Sequence, residues 1–230
     1  MAAYDAILFD KDGVLLDFQA TYGAWTQALL GEFAAGDATL LKVLATELAF
    51  DLETARFRPE SLVIAGTLEE VAGVLAPHLS MSKAAIACRL DETAMVVELA
   101  PPLPLKPLFS TLSAMGLCLG VVTNDSEASA RAHLERVGIT DEIAFLAGYD
   151  SGHGAKPGPG GVLAGAAALG ATPARTLMVG DSLHDLMAGR AAGTGTLGVL
   201  TGVATRADLS PLADAVLPDI GHLPNWLETA

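Results

Sequence analysis

Four short apolar runs in this chain each give way abruptly to polar residues, and that pattern restricts the fold more than any other feature. Tyr4 to Phe9 stops at Asp10-Lys11-Asp12-Gly13, and Leu117 to Val122 stops at Thr123-Asn124-Asp125. Ala144 to Leu146 is followed by Tyr149-Asp150, and Leu177 to Val179 stops at Gly180-Asp181. Runs this short and continuously apolar read as buried strands. Each is followed by a helical pattern, and strands alternating with helices imply a parallel sheet covered on both faces, with ligands outside the carboxyl ends of the strands. The expected class is therefore α/β, with a Rossmann-like parallel core whose polar residues collect where such a sheet places a site.

One region breaks the alternation. Between about Asp17 and Ala100 no strand is evident, whereas Thr21 to Phe33, Ala38 to Glu53, Leu68 to Leu75 and Ser82 to Leu99 repeat apolar residues at i, i+3 and i+4. An all-helical insertion is expected over 17–101, with residues 1–16 and 102–230 forming the core. Pro101-Pro102-Leu103-Pro104 reads as its exit linker, since successive prolines forbid helix continuation.

Composition narrows the partners. Hydrophobic types make up 51% of the 230 residues and charged types 17%, which excludes disorder over most of the chain. Thirteen Lys and Arg against 27 Asp and Glu give a net charge of −14, a surface that repels nucleic acid. The mean hydropathy of +0.44 owes much to alanine. No run of about 18 strongly apolar, uncharged residues occurs, so no membrane partner is expected. Met1-Ala-Ala-Tyr-Asp lacks the basic and apolar regions of a secretory signal, and a cytoplasmic location is expected. Cys88 and Cys118, without metal-ligand spacing, read as small buried hydrophobes. Oligomeric state is not written in the sequence.

Four pieces of the chain could carry chemistry. Asp10 and Asp12 sit two apart after a strand, so in extended backbone both carboxylates face one pocket, and such a pair can divide nucleophile or ligand from proton donor. Thr123-Asn124 ends the next core strand just before a helix, where a hydroxyl and free amides could meet an anion. Lys156 lies in the Gly-rich stretch Gly152-His153-Gly154-Ala155-Lys156-Pro157. Asp181 and Asp185 are four apart, on one face if a helix begins there. Taken singly, each has an ordinary reading: solvated turn aspartates, a helix cap, a solvated loop lysine, acids serving a helix dipole.

In order along the chain, Asp10/Asp12, Thr123, Lys156 and Asp181/Asp185 resemble the four motifs of the haloacid dehalogenase superfamily, in its phosphatase branch, closest to the phosphoglycolate-phosphatase-like members. The helical insertion falls where that branch carries its cap domain, so the resemblance covers essentially the whole chain. It implies a phosphatase acting on a small phosphorylated metabolite, phosphoglycolate being the first candidate, through an aspartyl phosphate on Asp10. Asp12 would serve as acid and then base. Mg²⁺ would be held by Asp10, the Asp12 carbonyl and Asp181, with Asp185 a ligand or a group orienting one through water. Thr123, Asn124 and neighbouring amides would bind phosphoryl oxygens, and Lys156 would pair with both the phosphoryl group and Asp10.

Departures from the family pattern matter too. Lys11 stands where the branch commonly has an apolar residue, and strand alternation points its side chain away from the two aspartates. Val14 replaces the commoner Thr, and family mutases acting on hexose phosphates often carry Val there, so a phosphohexomutase using the same aspartate pair is the alternative reading. A phospho-accepting signalling module also combines Asp, Thr and Lys, but such modules are much shorter and lack the insertion. Arg56 and Arg58, in an irregular stretch between insertion helices, are candidate substrate-specificity residues that could recognise a carboxylate. His78, His133 and His222 read as surface or capping residues, His153 and His184 lie near the motif loops, and Trp25 and Trp226 read as packing residues.

Overall fold

The computed structural model describes residues 4–229. In chain order its elements are β1 (Ala6–Phe9), α1 (Phe18–Ala34), α2 (Ala38–Glu47), β2 (Phe50–Asp51), β3 (Arg56–Phe57), α3 (Leu68–Leu75) and α4 (Lys83–Ala94). They continue with α5 (Leu105–Ala114), β4 (Cys118–Val122), α6 (Glu127–Arg136), β5 (Phe145–Ala147), α7 (Gly160–Ala168), β6 (Thr176–Gly180), α8 (Leu183–Ala192), β7 (Gly195–Val199), α9 (Arg206–Leu209), β8 (Ala215–Leu217) and α10 (Leu223–Thr229).

Six strands form one parallel sheet in the order β5-β4-β1-β6-β7-β8. All four residues of β1 are buried, as a central strand covered on both faces requires. Phe9 pairs with Val121 on one side and Val179 on the other, so the chain reaches Asp10, Thr123 and Asp181 at nearly the same level. That level is the carboxyl edge, at the point where the strand order turns back on either side of β1. Beneath it Phe9 packs on Phe109 of α5, ring centroids 5.1 Å apart, within a core built from β1, β4, β6 and β7.

Between β1 and α5 the two ends of the intervening segment are tied together. The Asp17 amide donates to the Ala100 carbonyl at 2.8 Å, and the Ala100 amide donates to Thr21 Oγ1 at 3.3 Å. A second hydrophobic cluster is drawn entirely from the intervening segment, with Phe18, Leu30, Leu44, Phe57, Leu75 and Ile86 among its buried members.

That segment is not all-helical. The helical periodicity read through Glu53 breaks at Ala49, whose φ is +46°, and a two-stranded antiparallel hairpin of β2 and β3 follows. Asp51 closes it by accepting from the amides of Glu53 and Thr54, while Phe50 and Phe57 face each other with centroids 4.9 Å apart. α4 also ends earlier than its periodicity suggests, because His133 and Arg136 of α6 bond the Ala94 and Met95 carbonyls and so satisfy the helix end from outside. Both cysteines are exposed, contrary to their expected burial: Cys88 faces solvent with its thiol 3.4 Å from Glu92, and Cys118 opens β4 at its exposed end.

Candidate active site

Five of the candidate residues come from three strand ends. Asp10 follows β1 directly, with Asp12 two residues on; Thr123 and Asn124 follow β4; Asp181 follows β6. Asp185 joins them from the first turn of α8, which is fixed by a capping box in which Ser182 Oγ accepts from the Asp185 amide and Asp185 Oδ2 accepts from the Ser182 amide and hydroxyl. Lys156 arrives on the loop after β5. Asn124 clamps that loop, its Oδ1 accepting from the Lys156 amide at 2.8 Å and its Nδ2 donating to the Lys156 carbonyl at 2.9 Å. The same Nδ2 reaches the Ala65 carbonyl of the inserted segment at 2.8 Å, so the Asn124 side chain positions Lys156 and the insertion together.

Lys156 Nζ lies 2.6 Å from Asp10 Oδ1 and 2.7 Å from Asp185 Oδ1, all three side chains being buried. Carboxylate oxygens of Asp10, Asp181 and Asp185 lie within 4.8 Å of one another. Burial, followed by the neighbouring Asp185 and Asp12 charges, pushes the Asp10 carboxyl up to about 7 although Lys156 opposes the shift. Burial and the Asp185 and Asp10 charges raise Asp181 well above the usual carboxylate range.

Asp181 Oδ1 has no hydrogen-bond partner. Its side chain sits in a cradle that only glycines permit: a Cβ on Gly13, at φ +84°, would lie 2.3 Å from Asp181 Oδ2, and one on Gly202 would lie 1.7 Å away. Three crowded acids with an orphaned oxygen and an all-oxygen donor set fit a hard divalent cation.

A cavity opens from this site into the inserted segment, its empty space about 870 Å³ with the mouth included. Asp10, Asp12, Thr123, Asn124, Lys156 and Asp185 all line it, as does His184. Arg56 and Arg58 do not: both are exposed and stand outside it.

Sequence reasoning missed a buried cluster beside the site. Lys11 is fully buried, yet it does not point away from both aspartates, because the extended strand ends at Phe9 and alternation stops there. Its Nζ lies 2.9 Å from Asp12 Oδ2 and donates to Asp125 Oδ2 at 2.8 Å, His133 Nδ1 at 2.9 Å and the Tyr22 hydroxyl at 3.2 Å. An ammonium can only donate, so His133 accepts at Nδ1 and presents Nε2–H to the Ala94 carbonyl at 2.8 Å. His133 is thus buried, contrary to the expected surface role, and it caps the end of α4, in keeping with the expected capping role.

Burial alone would lower the Lys11 pKa, but the Asp12 and Asp125 charges hold it well above its usual range. Burial, then the Lys11 charge, keeps the His133 pKa below the ordinary imidazole value. The one sequence signal for this cluster was the cation itself, standing where the resembled family commonly has an apolar side chain.

A parallel sheet with acids, a threonine and a lysine at its carboxyl edge defines an α/β protein with a candidate site at the strand ends, and the family follows from comparison. The model of the haloacid dehalogenase-like hydrolases matches residues 4–193, and the chain belongs to that family. It is 38% identical over 120 residues to a phosphoglycolate phosphatase of Rhodospirillum rubrum, a match covering 52% of this chain and 50% of the relative. The chain thus spans about half the length of that relative. It is 29% identical over 208 residues to an N-acetylmuramic acid 6-phosphate phosphatase of Pseudomonas putida, covering 86% of this chain and 83% of the relative. The fold also matches a haloacid dehalogenase family hydrolase from Deinococcus radiodurans crystallised with phosphate and sodium, at a TM-score of 0.67 and 22% identity over 100% of this chain and 97% of the other. Among the described residues no helix is long and apolar enough to cross a membrane.

Proposed function

We propose that the protein is a Mg²⁺-dependent phosphatase that hydrolyses a small phosphorylated metabolite in the cytoplasm through an aspartyl phosphate on Asp10. In this reading residues 17–101 cap a catalytic core of residues 1–16 and 102–230. The observation that carries it is the opening of Asp10, Asp12, Thr123 and Lys156 onto one cavity at the edge of a buried acid cluster. Phosphoglycolate enters as the substrate in the name of the Rhodospirillum rubrum relative.

Phosphoryl transfer is mainly positioning and charge neutralisation. The Asp10 carboxylate attacks phosphorus opposite the ester oxygen, so the new Asp10–phosphorus bond forms as the bond to the alcohol breaks. Asp12 protonates the departing alkoxide and then takes a proton from the water that attacks the aspartyl phosphate, releasing phosphate and restoring Asp10. Its Oδ2 is engaged with Lys11, whereas its buried Oδ1 has no partner, which makes Oδ1 the atom that exchanges the proton.

Thr123 and Lys156 hold the phosphoryl oxygens, and Asn124 contributes by fixing Lys156. Asp10, Asp181 and the Asp12 carbonyl would hold Mg²⁺, and Asp185, whose oxygens already accept from Lys156 and Ser182, borders the same site. When bound, the ion supplies positive charge against the acids and the phosphate dianion.

A metal titration tests this reading, and its pH dependence follows from the Asp10 shift. A carboxyl whose pKa is raised on folding costs stability once ionised, so this group makes the metal-free protein less stable as pH climbs from about 4, where an unfolded aspartate titrates, to about 7. Mg²⁺ offsets the crowded charge only where it exists. The gain in Tm from saturating Mg²⁺ is therefore expected to be larger at about pH 8 than at about pH 5, and chelator should abolish phosphate release reversibly. Equal gains at both pH values, or full activity in excess chelator, would contradict the metal assignment. Release of inorganic phosphate, as opposed to an isomerised sugar phosphate, separates the phosphatase from a mutase built on the same aspartates.

A further inference from the structure

The cavity above Asp10 is chemically two-sided. Its floor holds Asp10, Asp12, Asp125 and Asp185 with Lys156. Every residue of the inserted segment that lines it is apolar or glycine, apart from Tyr22, Trp25 and Thr26. α1 contributes Phe18, Tyr22, Trp25, Thr26, Leu29 and Leu30, a repeat that places one helix face against the opening. No cation of the insertion lines it, and Arg56 and Arg58 lie outside. A second observation points to an occupant: Trp25 Nε1 and Thr26 Oγ1 are buried without a hydrogen-bond partner, and both residues line the cavity, Thr26 being only 3% exposed.

Buried donors are normally paired, and an unpaired one in a binding cavity is a place for a ligand acceptor. A carboxylate entering here would lose its hydration, meet no cation in the insertion and face the floor acids. An alkyl chain would exchange water for apolar walls.

Building on the phosphatase reading, we infer that the alcohol released is predominantly apolar and uncharged, and carries a neutral oxygen acceptor for Trp25 Nε1 and Thr26 Oγ1. The substrate class is then a phosphate monoester with an aliphatic body and a carbonyl, ether or hydroxyl oxygen. Phosphoglycolate, whose leaving alcohol carries a carboxylate, is accepted poorly.

The test measures inorganic phosphate released by the full chain with Mg²⁺ from ethyl, propyl, butyl and pentyl phosphates, 4-oxopentyl phosphate and phosphoglycolate. kcat/KM is expected to climb roughly fourfold per methylene along the alkyl series. Pentyl phosphate should exceed phosphoglycolate by at least about tenfold. 4-Oxopentyl phosphate should stay within about threefold of pentyl phosphate or surpass it, since its carbonyl finds the two donors.

A flat alkyl series, or phosphoglycolate ahead of pentyl phosphate, overturns the apolar leaving group while leaving the phosphatase reading intact. A loss of more than about tenfold on adding the carbonyl overturns the acceptor. Release of phosphate from none of the esters, phosphoglycolate included, overturns the phosphatase reading itself.

Discussion

Asp10→Asn is expected to abolish turnover, with phosphate release falling on the order of 10⁴-fold or more, as removal of a covalent nucleophile does. An amide of nearly the same shape attacks phosphorus poorly but still fills the same position, and Lys156 keeps its second partner at Asp185 Oδ1. The circular dichroism spectrum should therefore be unchanged. Asp12→Asn should behave differently. It removes proton transfer from both half-reactions and costs about 10²–10⁴-fold, while attack by Asp10 remains possible with a good leaving group. Near-normal release by Asp10→Asn would show that Asp10 is not the nucleophile.

The largest expected effect on stability is at Lys11. Lys11→Met restores the apolar character common at this position in the resembled family, yet it should destabilise the protein by about 3–5 kcal/mol, the usual cost of removing one partner from a buried ion pair. The Asp125 side chain is only 9% exposed and that of Asp12 15%, so both charges would lose their counter-ion where little water can replace it. His133 Nδ1 and the Tyr22 hydroxyl would lose the same donor. The penalty belongs to the stranded charges more than to the missing amine. The double variant Lys11→Met/Asp125→Asn should consequently be more stable than Lys11→Met alone, a coupling read from a double-mutant cycle in denaturant. A cost below about 1 kcal/mol for Lys11→Met would reduce the cluster to the energetic level of a surface pair.

These two residues also mark where the sequence was informative and where it was not. Asp10 was legible because a buried strand that stops on an acid leaves a pattern within a few residues, and the β4 and β6 ends repeat it at Thr123 and Asp181. α3 was legible over Leu68–Leu75 because a capping box of Thr67 and Glu70 opens an uninterrupted apolar repeat. Lys11 was visible only as an oddity. Its partners Asp125 and His133 lie 114 and 122 positions away, and no local periodicity encodes such a pairing.

Strands β7 and β8 escaped for a different reason. Gly195 and Gly198 interrupt the apolar run of β7, and β8 has only three residues, so tertiary pairing decides both. The hairpin of β2 and β3 was hidden inside helical periodicity that Ala49 breaks with a left-handed backbone, which a sequence of helix-favouring residues does not announce. Arg56 and Arg58 looked like specificity residues because they alternate in an irregular stretch. That alternation belongs to β3 and its flank, where Phe57 takes the buried position between them.

The central claim is that the phosphoryl group passes through Asp10. Its most direct test is an acid-quenched single turnover, carried out with Mg²⁺ and a readily hydrolysed aryl phosphate and followed by peptide mapping in a mass spectrometer. The account predicts a phosphoryl adduct on the peptide carrying Asp10, more abundant in Asp12→Asn, where breakdown is slowed, and absent in Asp10→Asn. An adduct on another residue, or none in Asp12→Asn while phosphate is still released, would contradict it.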